Sequence, residues 1–291
     1  MENSIRVLKP DAFPRLLQEI NDPPEKLFVQ GTLPDDDTNK FLCVVGNRAY
    51  TPYGKEACEK LIAGLRGYPI VIVSGLALGI DGIAHRSALA AGLITIAVPG
   101  SGLHPSVLYP ATHRGLAEKI LESGGALISE FEDTFRATKW GFPQRNRLMA
   151  GLSHAVLVIE AQEKSGTLIT ARLAVEYNRD VGVVPGSIFA KGSAAPHLFL
   201  RLGATPITTS NDLLMFLGFD TETEQSHARE QSFRDCSPDE QKVLALLTTP
   251  LSHDELIRVL DLPIAAANAL LSGMEIKGLI IERFRLFERS A

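Results

Sequence analysis

The sequence predicts a doubly wound, mostly parallel α/β sheet followed by a small winged-helix-like domain. Three observations carry this. From Phe41 onward, short apolar runs alternate with helix-length segments, the pattern of βαβ units joined by right-handed crossovers. The loops after those runs are rich in glycine and polar residues, as where buried strands turn tightly into helices. A polar stretch, 220–236, then separates this region from a short segment that carries two helix-capping boxes.

Residues 1–40 are expected to form an arm leading into the main domain. A short helix is predicted over Ala12–Ile20 and a short strand at Leu27-Phe28-Val29, with Asn21-Asp22-Pro23-Pro24 and Pro34-Asp35-Asp36-Asp37 as turns. The main domain is expected over 41–219. Its buried strands are Phe41–Val45, Ile70–Val73, Ile94–Val98, Ala126–Ile128, Ala155–Ile159 and Val181–Val184. Between them helices are predicted at Tyr53–Leu65, Ile80–Ala91, Thr112–Leu121, Gln144–Leu152 and Thr167–Tyr177. A last unit, His197–Leu217, adds a helix, a short strand near Thr205–Ile207 and a closing helix.

Residues 220–236 lack apolar periodicity and read as a linker. In 237–291, the boxes at Ser237–Glu240 and Ser252–Glu255 start helices near 238–247 and 253–260. A third helix, Ile264–Ile276, ends at Gly278, and Leu279–Ile281 with Arg285–Phe287 form a small hairpin. This segment holds six Lys/Arg against eight Asp/Glu, and its third helix carries no Arg or Lys. A duplex-reading helix needs phosphate contacts, so the module is expected to dock or pack against protein instead.

With 291 residues, 45% of them apolar and 22% charged, the composition is that of an ordinary globular protein of about two domains. No apolar run reaches the ~18 residues that a bilayer span needs. The N-terminus shows no secretory pattern, and Cys43, Cys58 and Cys236 are too far apart for a zinc motif. Reduced thiols, a cytoplasmic location and no metal or cofactor are the expectations.

Function is concentrated between Arg136 and Thr170. Arg136–Met149 holds four basic residues and no acidic one, in a chain of net charge −5. Lys139, Trp140 and Phe142 are expected on a loop, with Arg145, Asn146 and Arg147 near the start of the following helix. Cations beside planar rings suit a single-stranded nucleic acid, the cations for phosphates and the ring faces for bases. The opposite wall of the pocket is expected from Gly46-Asn47-Arg48 and the polar turn Ser165-Gly166-Thr167, since the loops after parallel strands share one edge of the sheet. Backbone N–H groups at the helix starts on that edge suit phosphate oxygens. Lys139 and Phe142 are read as contacts; Arg145 and Arg147 either touch the nucleic acid or brace the pocket.

Several enzyme classes are excluded. The turn Val45-Gly46-Asn47-Arg48 is not G-x-G-x-x-G, the second strand ends in Ser74 and not an acid, and no phosphate-binding P-loop occurs. His85 is read as a capping or core histidine opposite Asp81. Glu130 and Glu160, each ending a strand, are read as loop anchors and not as a general acid–base pair.

Taken together, these residues resemble the DprA/Smf family of DNA-processing proteins. The likeness rests on Val45–Arg48 with Tyr53-Gly54, S-G-L-A-L-G-I-D-G-I-A-H (Ser74–His85), Tyr109-Pro110, Ser129-Glu130, F-P-Q-R-N-R (Phe142–Arg147) with A-G-L-S, S-G-T-L-I-T-A, and Val184-Pro185-Gly186. It covers Phe41 to Gly218 in order. The resemblance implies an extended Rossmann-like domain that binds single-stranded DNA without base specificity, protects it, and loads the RecA recombinase during natural transformation. It also implies a homodimer without enzymatic activity, in which Arg48 and Lys139 contact phosphate and Phe142 stacks on a base. The family's helical N-terminal domain is expected to be truncated or absent. The alternative is a nucleotide-processing enzyme similar to the LOG-type phosphoribohydrolases. Thr170 stands where their loop carries its catalytic Glu, which counts against it.

Overall fold

The computed structural model describes residues 4–163, 165–220, 236–247, 249–260, 262–277, 279–283 and 285–289. The chain divides into two compact units, one ending at Phe219 and one beginning at Asp220.

The first unit is built on a nine-stranded sheet. Its strands are β1 (Arg6–Leu8), β2 (Leu27–Gly31), β3 (Lys40–Val45), β4 (Ile70–Ser74), β5 (Ile94–Ala97), β6 (Ala126–Ser129), β7 (Ala155–Val158), β8 (Asp180–Val183) and β9 (Thr205–Pro206). They lie in the order β1-β2-β6-β5-β4-β3-β7-β8-β9. All pairings from β6 across to β9 are parallel. The order reverses at β3, with β4 to β6 on one side and β7 to β9 on the other. The gap between the carboxyl ends of β3 and β7 is therefore the topological switch point, where open α/β sheets take ligands.

Alternation along β3 shows how the sheet is covered on both faces. Phe41, Cys43 and Val45 belong to one core, with Leu17, Leu148, Val156 and Ala171. Leu42 and Val44 belong to the other, with Ile62, Ile72, Ile83 and Leu213. Helices α1 (Arg15–Gln18), α5 (Gly141–Gly151), α6 (Thr167–Glu176) and α7 (Ala194–Arg201) cover the first face. Helices α2 (Pro52–Ala63), α3 (Ile80–Ala91) and α8 (Ser210–Phe216) cover the second. A further cluster under α4 (Arg114–Glu122), at the end of the sheet away from β9, joins Leu76, Leu103 and Ile120 to β5 and β6. Cys43 and Cys58 are fully buried, and burial pushes both thiols well above their ordinary range.

Where an arm was expected, the chain before β3 contributes two strands to the sheet. β2 pairs antiparallel with β6, placing Val29 opposite Ile128, and β1 pairs antiparallel with β2. The expected helix Ala12–Ile20 is broken into a 3-10 turn at Pro10–Ala12 and the single turn of α1, because Pro14 between them cannot donate a backbone hydrogen bond. Leu17 is nevertheless fully buried in the sheet's main core.

In the second unit, helices Pro238–Leu246, His253–Leu260 and Ile264–Ile276 surround Val243, Leu256, Leu271 and Phe287. Strands Ile280–Arg283 and Leu286–Arg289 form the hairpin, and Leu251–Ser252 pairs with the second of them. Both capping boxes form: Ser237 with Glu240, and Ser252 with Glu255. The expected hairpin strand Arg285–Phe287 starts one residue later, since Arg285 takes the turn at φ +65°. The linker expected over 220–236 lies, apart from its end residues, outside the described residues, as does Gly278.

Leu17→Ala should remove about 2–5 kcal/mol from the first unit, as for a fully buried leucine in a sheet core. Urea unfolding followed on that unit's transition reads this; an independent arm would leave the midpoint unmoved.

Candidate nucleic-acid interface

A cleft of about 510 Å³ opens at the switch point. Four segments line it: the turn after β3, α5 from Phe142 to Met149 with Lys139 before it, the stretch from Gln162 through the start of α6, and Ala77 with Asp81 below. Of the twelve candidate residues, ten line it: Gly46, Asn47, Arg48, Lys139, Phe142, Arg145, Asn146, Ser165, Gly166 and Thr167. Trp140 and Arg147 do not.

The helix α5 starts three residues earlier than expected. Pro143 reads as a breaker, but in a first turn its missing N–H costs nothing. Phe142 is thereby carried on the helix and not on a loop, which fixes its ring. The ring packs against Gly100, where any Cβ would come within 2.6 Å of it. The Tyr109 ring lies 5.6 Å away. The exposed Arg48 guanidinium sits 4.7 Å from the Phe142 centroid, a cation over a ring face. Lys139, also exposed, stands at the same mouth. Trp140 projects outward and is 84% exposed.

The two arginines of the helix are consumed by the fold. Arg145 is buried and donates to the carbonyls of Gly75 and Val98 and to Asn146 Oδ1. Its guanidinium also lies 3.8 Å from the buried Asp81 carboxylate. Burial pushes the Asp81 carboxyl up and the Arg145 guanidinium down, and each charge pulls the other back. Arg147 turns away from the cleft, to Glu130, to the Asp22 carboxylate at 3.5 Å and to the Asp22 carbonyl at 2.6 Å.

At the start of α6 and in the loop after β5, several backbone amides are already engaged. At the start of α6, the Thr167 N–H donates to Ser165 Oγ, the Leu168 N–H to Ser165 O and the Ile169 N–H to Gly166 O. Thr167 Oγ1 donates to Gly46 O at 3.2 Å, tying the two cleft walls together. The loop after β5 is covered by backbone bonds to Asp133 and Phe135. Glu160 is an anchor: it accepts from Thr51 N at 2.9 Å and Thr51 Oγ1 at 2.7 Å, at the start of α2. Glu130 is likewise taken by Arg147. His85 bonds Thr95 Oγ1 at 2.7 Å in the core and does not face Asp81 as a partner.

Sequence reasoning missed Gln162 and Ile169 as cleft residues. Ile169 is an apolar side chain left 39% exposed in the first turn of α6, a mismatch that the helical period could have flagged. Thr170 is buried in the cleft wall. Among the described residues no group of His, Cys, Asp or Glu side chains is arranged to hold a metal ion. None of their helices is singly long and apolar enough to cross a membrane.

Fold and cleft together define a Rossmann-like α/β protein with a winged-helix module, in which an open cationic cleft replaces the dinucleotide-binding turn. The chain belongs to the DNA recombination-mediator protein A family, whose model matches residues 4–218; the DprA winged helix domain matches 227–283. It is 41% identical over 232 residues to protein Smf of Escherichia coli, covering 79% of this chain and 60% of that one. It is 43% identical over 206 residues to DNA processing protein DprA of Streptococcus pneumoniae, covering 70% of this chain and 71% of that one. The pneumococcal DprA crystal structure superposes with a TM-score of 0.67 at 40% identity, over 73% of this chain and 74% of that one. DNA processing protein A from Helicobacter pylori, described for its single-stranded DNA binding mode, superposes at 0.65 with 30% identity, over 75% of this chain and 98% of that one.

Two consequences are measurable. Arg145→Met strands Asp81 without its partner and should cost about 3–5 kcal/mol, with Asp81→Asn added to it recovering part of the loss in chemical denaturation. Burial, with the charges of His113, Arg145 and Arg86 behind it, drops the His85 pKa from 6.5 to about 3. The unfolded chain binds that proton near pH 6.5 and the folded one only near 3, so this stability is complete above 6.5 and is lost as pH falls between them. The slope is at most about 1.4 kcal/mol per pH unit, and His85→Gln should flatten it in a pH series of unfolding curves.

Proposed function

We propose that the cleft binds single-stranded DNA without base specificity, with Arg48 and Lys139 on phosphates and the Phe142 face on a base. The observation that carries this is the placement of an exposed guanidinium directly over a fixed, half-buried phenyl ring, with a second free cation at the same mouth. Rings serve every base alike and cations every phosphate, so these three contacts carry no sequence preference. The Helicobacter pylori relative's single-stranded DNA binding supports the same reading.

On this reading the protein works in the cytoplasm as a homodimer, protects the bound strand and loads the RecA recombinase onto it in transformation. It does so without catalysis: Asp81, which lines the cleft, and Glu160, against Gly192 behind it, are engaged in ion pairing and helix capping. Stimulation of RecA strand exchange on protein-coated single strands tests the loading step, and light scattering tests the dimer.

Arg48→Ala and Lys139→Ala should each weaken oligothymidylate binding about equally for all base compositions. Each should also lower the slope of log K against log salt by about 0.7 in a fluorescence-anisotropy titration. Parental affinity and slope in both variants would put the DNA elsewhere.

A further inference from the structure

The loop between β8 and α7 carries a feature that the cleft does not use. Ile188 and Phe189, adjacent in sequence, are 80% and 90% exposed. Single exposed apolar residues are ordinary, but a neighbouring pair of large ones beside a ligand cleft is not. The loop holds them in place. The Phe189 N–H donates to Ser187 Oγ at 3.2 Å and the Ala190 N–H to Ser187 O at 3.0 Å. Tyr53 Oη donates to Pro185 O, and His197 Nε2 meets Gly186 O at 3.0 Å. A phenyl ring on so braced a backbone loses little freedom when something stacks on it.

The loop is continuous with the cleft. It follows β8 on the same sheet edge, two strands beyond β3. Its far end returns to the cleft wall, where the Ala161 N–H donates to Gly192 O at 2.7 Å. Gly192 lies against Asn47, a cleft residue: a Cβ there would sit 3.5 Å from Asn47 Nδ2. Phe189 is three residues from that junction, a reach of about 10 Å at most.

Charge points to the same occupant. No Asp or Glu occurs from Val181 to Ser210, while the loop holds the exposed Lys191. The other cleft segment, Thr134 to Ile159, is equally free of acids. In a chain of net charge −5, these two stretches are thus free of acids, and Glu160, the carboxylate beside Gly192, is buried and bonded to Thr51.

We propose that the Pro185–Ser193 loop is a second subsite for single-stranded nucleic acid, where Phe189 stacks on a base and Lys191 pairs with a phosphate of the same strand that enters the cleft. This rests on the cleft reading above and extends the track from the switch point across β8. Two stacking positions on one strand multiply, so the loop matters only for strands long enough to reach both.

The test compares oligothymidylates of about 4 and about 20 nucleotides, lengths that bracket one and several stacking positions. Phe189→Ala should cost the longer strand roughly tenfold in affinity and leave the shorter unchanged, the worth of one base–aromatic stack. Phe189→Trp should bind as the parent, and Phe189→Leu, which keeps apolar area but loses the ring, should behave as the alanine variant. Parental affinity of the leucine variant for the longer strand would overturn the subsite. So would an equal loss on both lengths, or a change of oligomeric state by light scattering with long-strand affinity intact, which makes the loop an interface between copies. Arg48→Ala run alongside separates the two readings: it must weaken the short strand if the cleft itself binds.

Discussion

The cleft depends on one buried cation. Arg145 reaches from α5 under the switch point and gathers the carbonyls at the ends of β4 and β5, with Asp81 of α3 as its counter-charge. Gly75 is required by the same contact. A Cβ there would fall 2.0 Å from the guanidinium, which is pinned on both sides and has nowhere to go. A charge this deep survives only when its donors and its counter-ion are all in place. The sheet edge, α3 and α5 are thus held as one rigid frame. Phe142, Asn146 and Met149 line the opening from that frame, while Arg48 and Lys139 stand on the turns that leave β3 and enter α5.

Once Arg145 and Arg147 are assigned to the frame, the basic stretch looks different. Four positive residues in fourteen suggest a strongly charged groove, but among the described residues the geometry leaves Arg48 and Lys139 as the cations at the mouth. Arg147 instead secures the N-terminal segment to the end of β6, through Asp22 and Glu130. Two phosphate contacts give a modest salt dependence, so ring stacking has to supply much of any affinity. The rigidity of Phe142, wedged against Gly100 and beside Tyr109, then has a clear value.

The parallel strands were legible because each is an unbroken apolar run covered on both faces, and that property lies in the local sequence. β1 and β2 were not. Leu27-Phe28-Val29 reads as a strand, but its place beside β6 is set by a pairing a hundred residues away. The start of α5 was obscured by Pro143, whose effect depends on its position in the turn. The division of labour stayed open for Arg145 and Arg147, as contacts or as braces: identical side chains differ only in what surrounds them. The amides of the turn before α6, expected to face phosphate, are already engaged for a related reason. A glycine-rich sequence announces a tight turn, but not whether the turn's own oxygens, here Ser165 and Gly166, already hold its amides.

The pairing of Arg48 with the Phe142 ring has a further consequence for how such a site fills. The ring face that a base would take is partly covered by the guanidinium. An exposed cation–π contact is worth about 0.5–1 kcal/mol. Stacking of a base on an aromatic side chain is worth about 1–3 kcal/mol, and the displaced guanidinium gains a phosphate partner. The exchange is therefore downhill for a strand that brings both groups at once. A free base gains the stack without the phosphate contact, and a free phosphate gains the contact without the stack. The arrangement favours polynucleotide over its fragments, and neither the ring nor the guanidinium distinguishes one base from another.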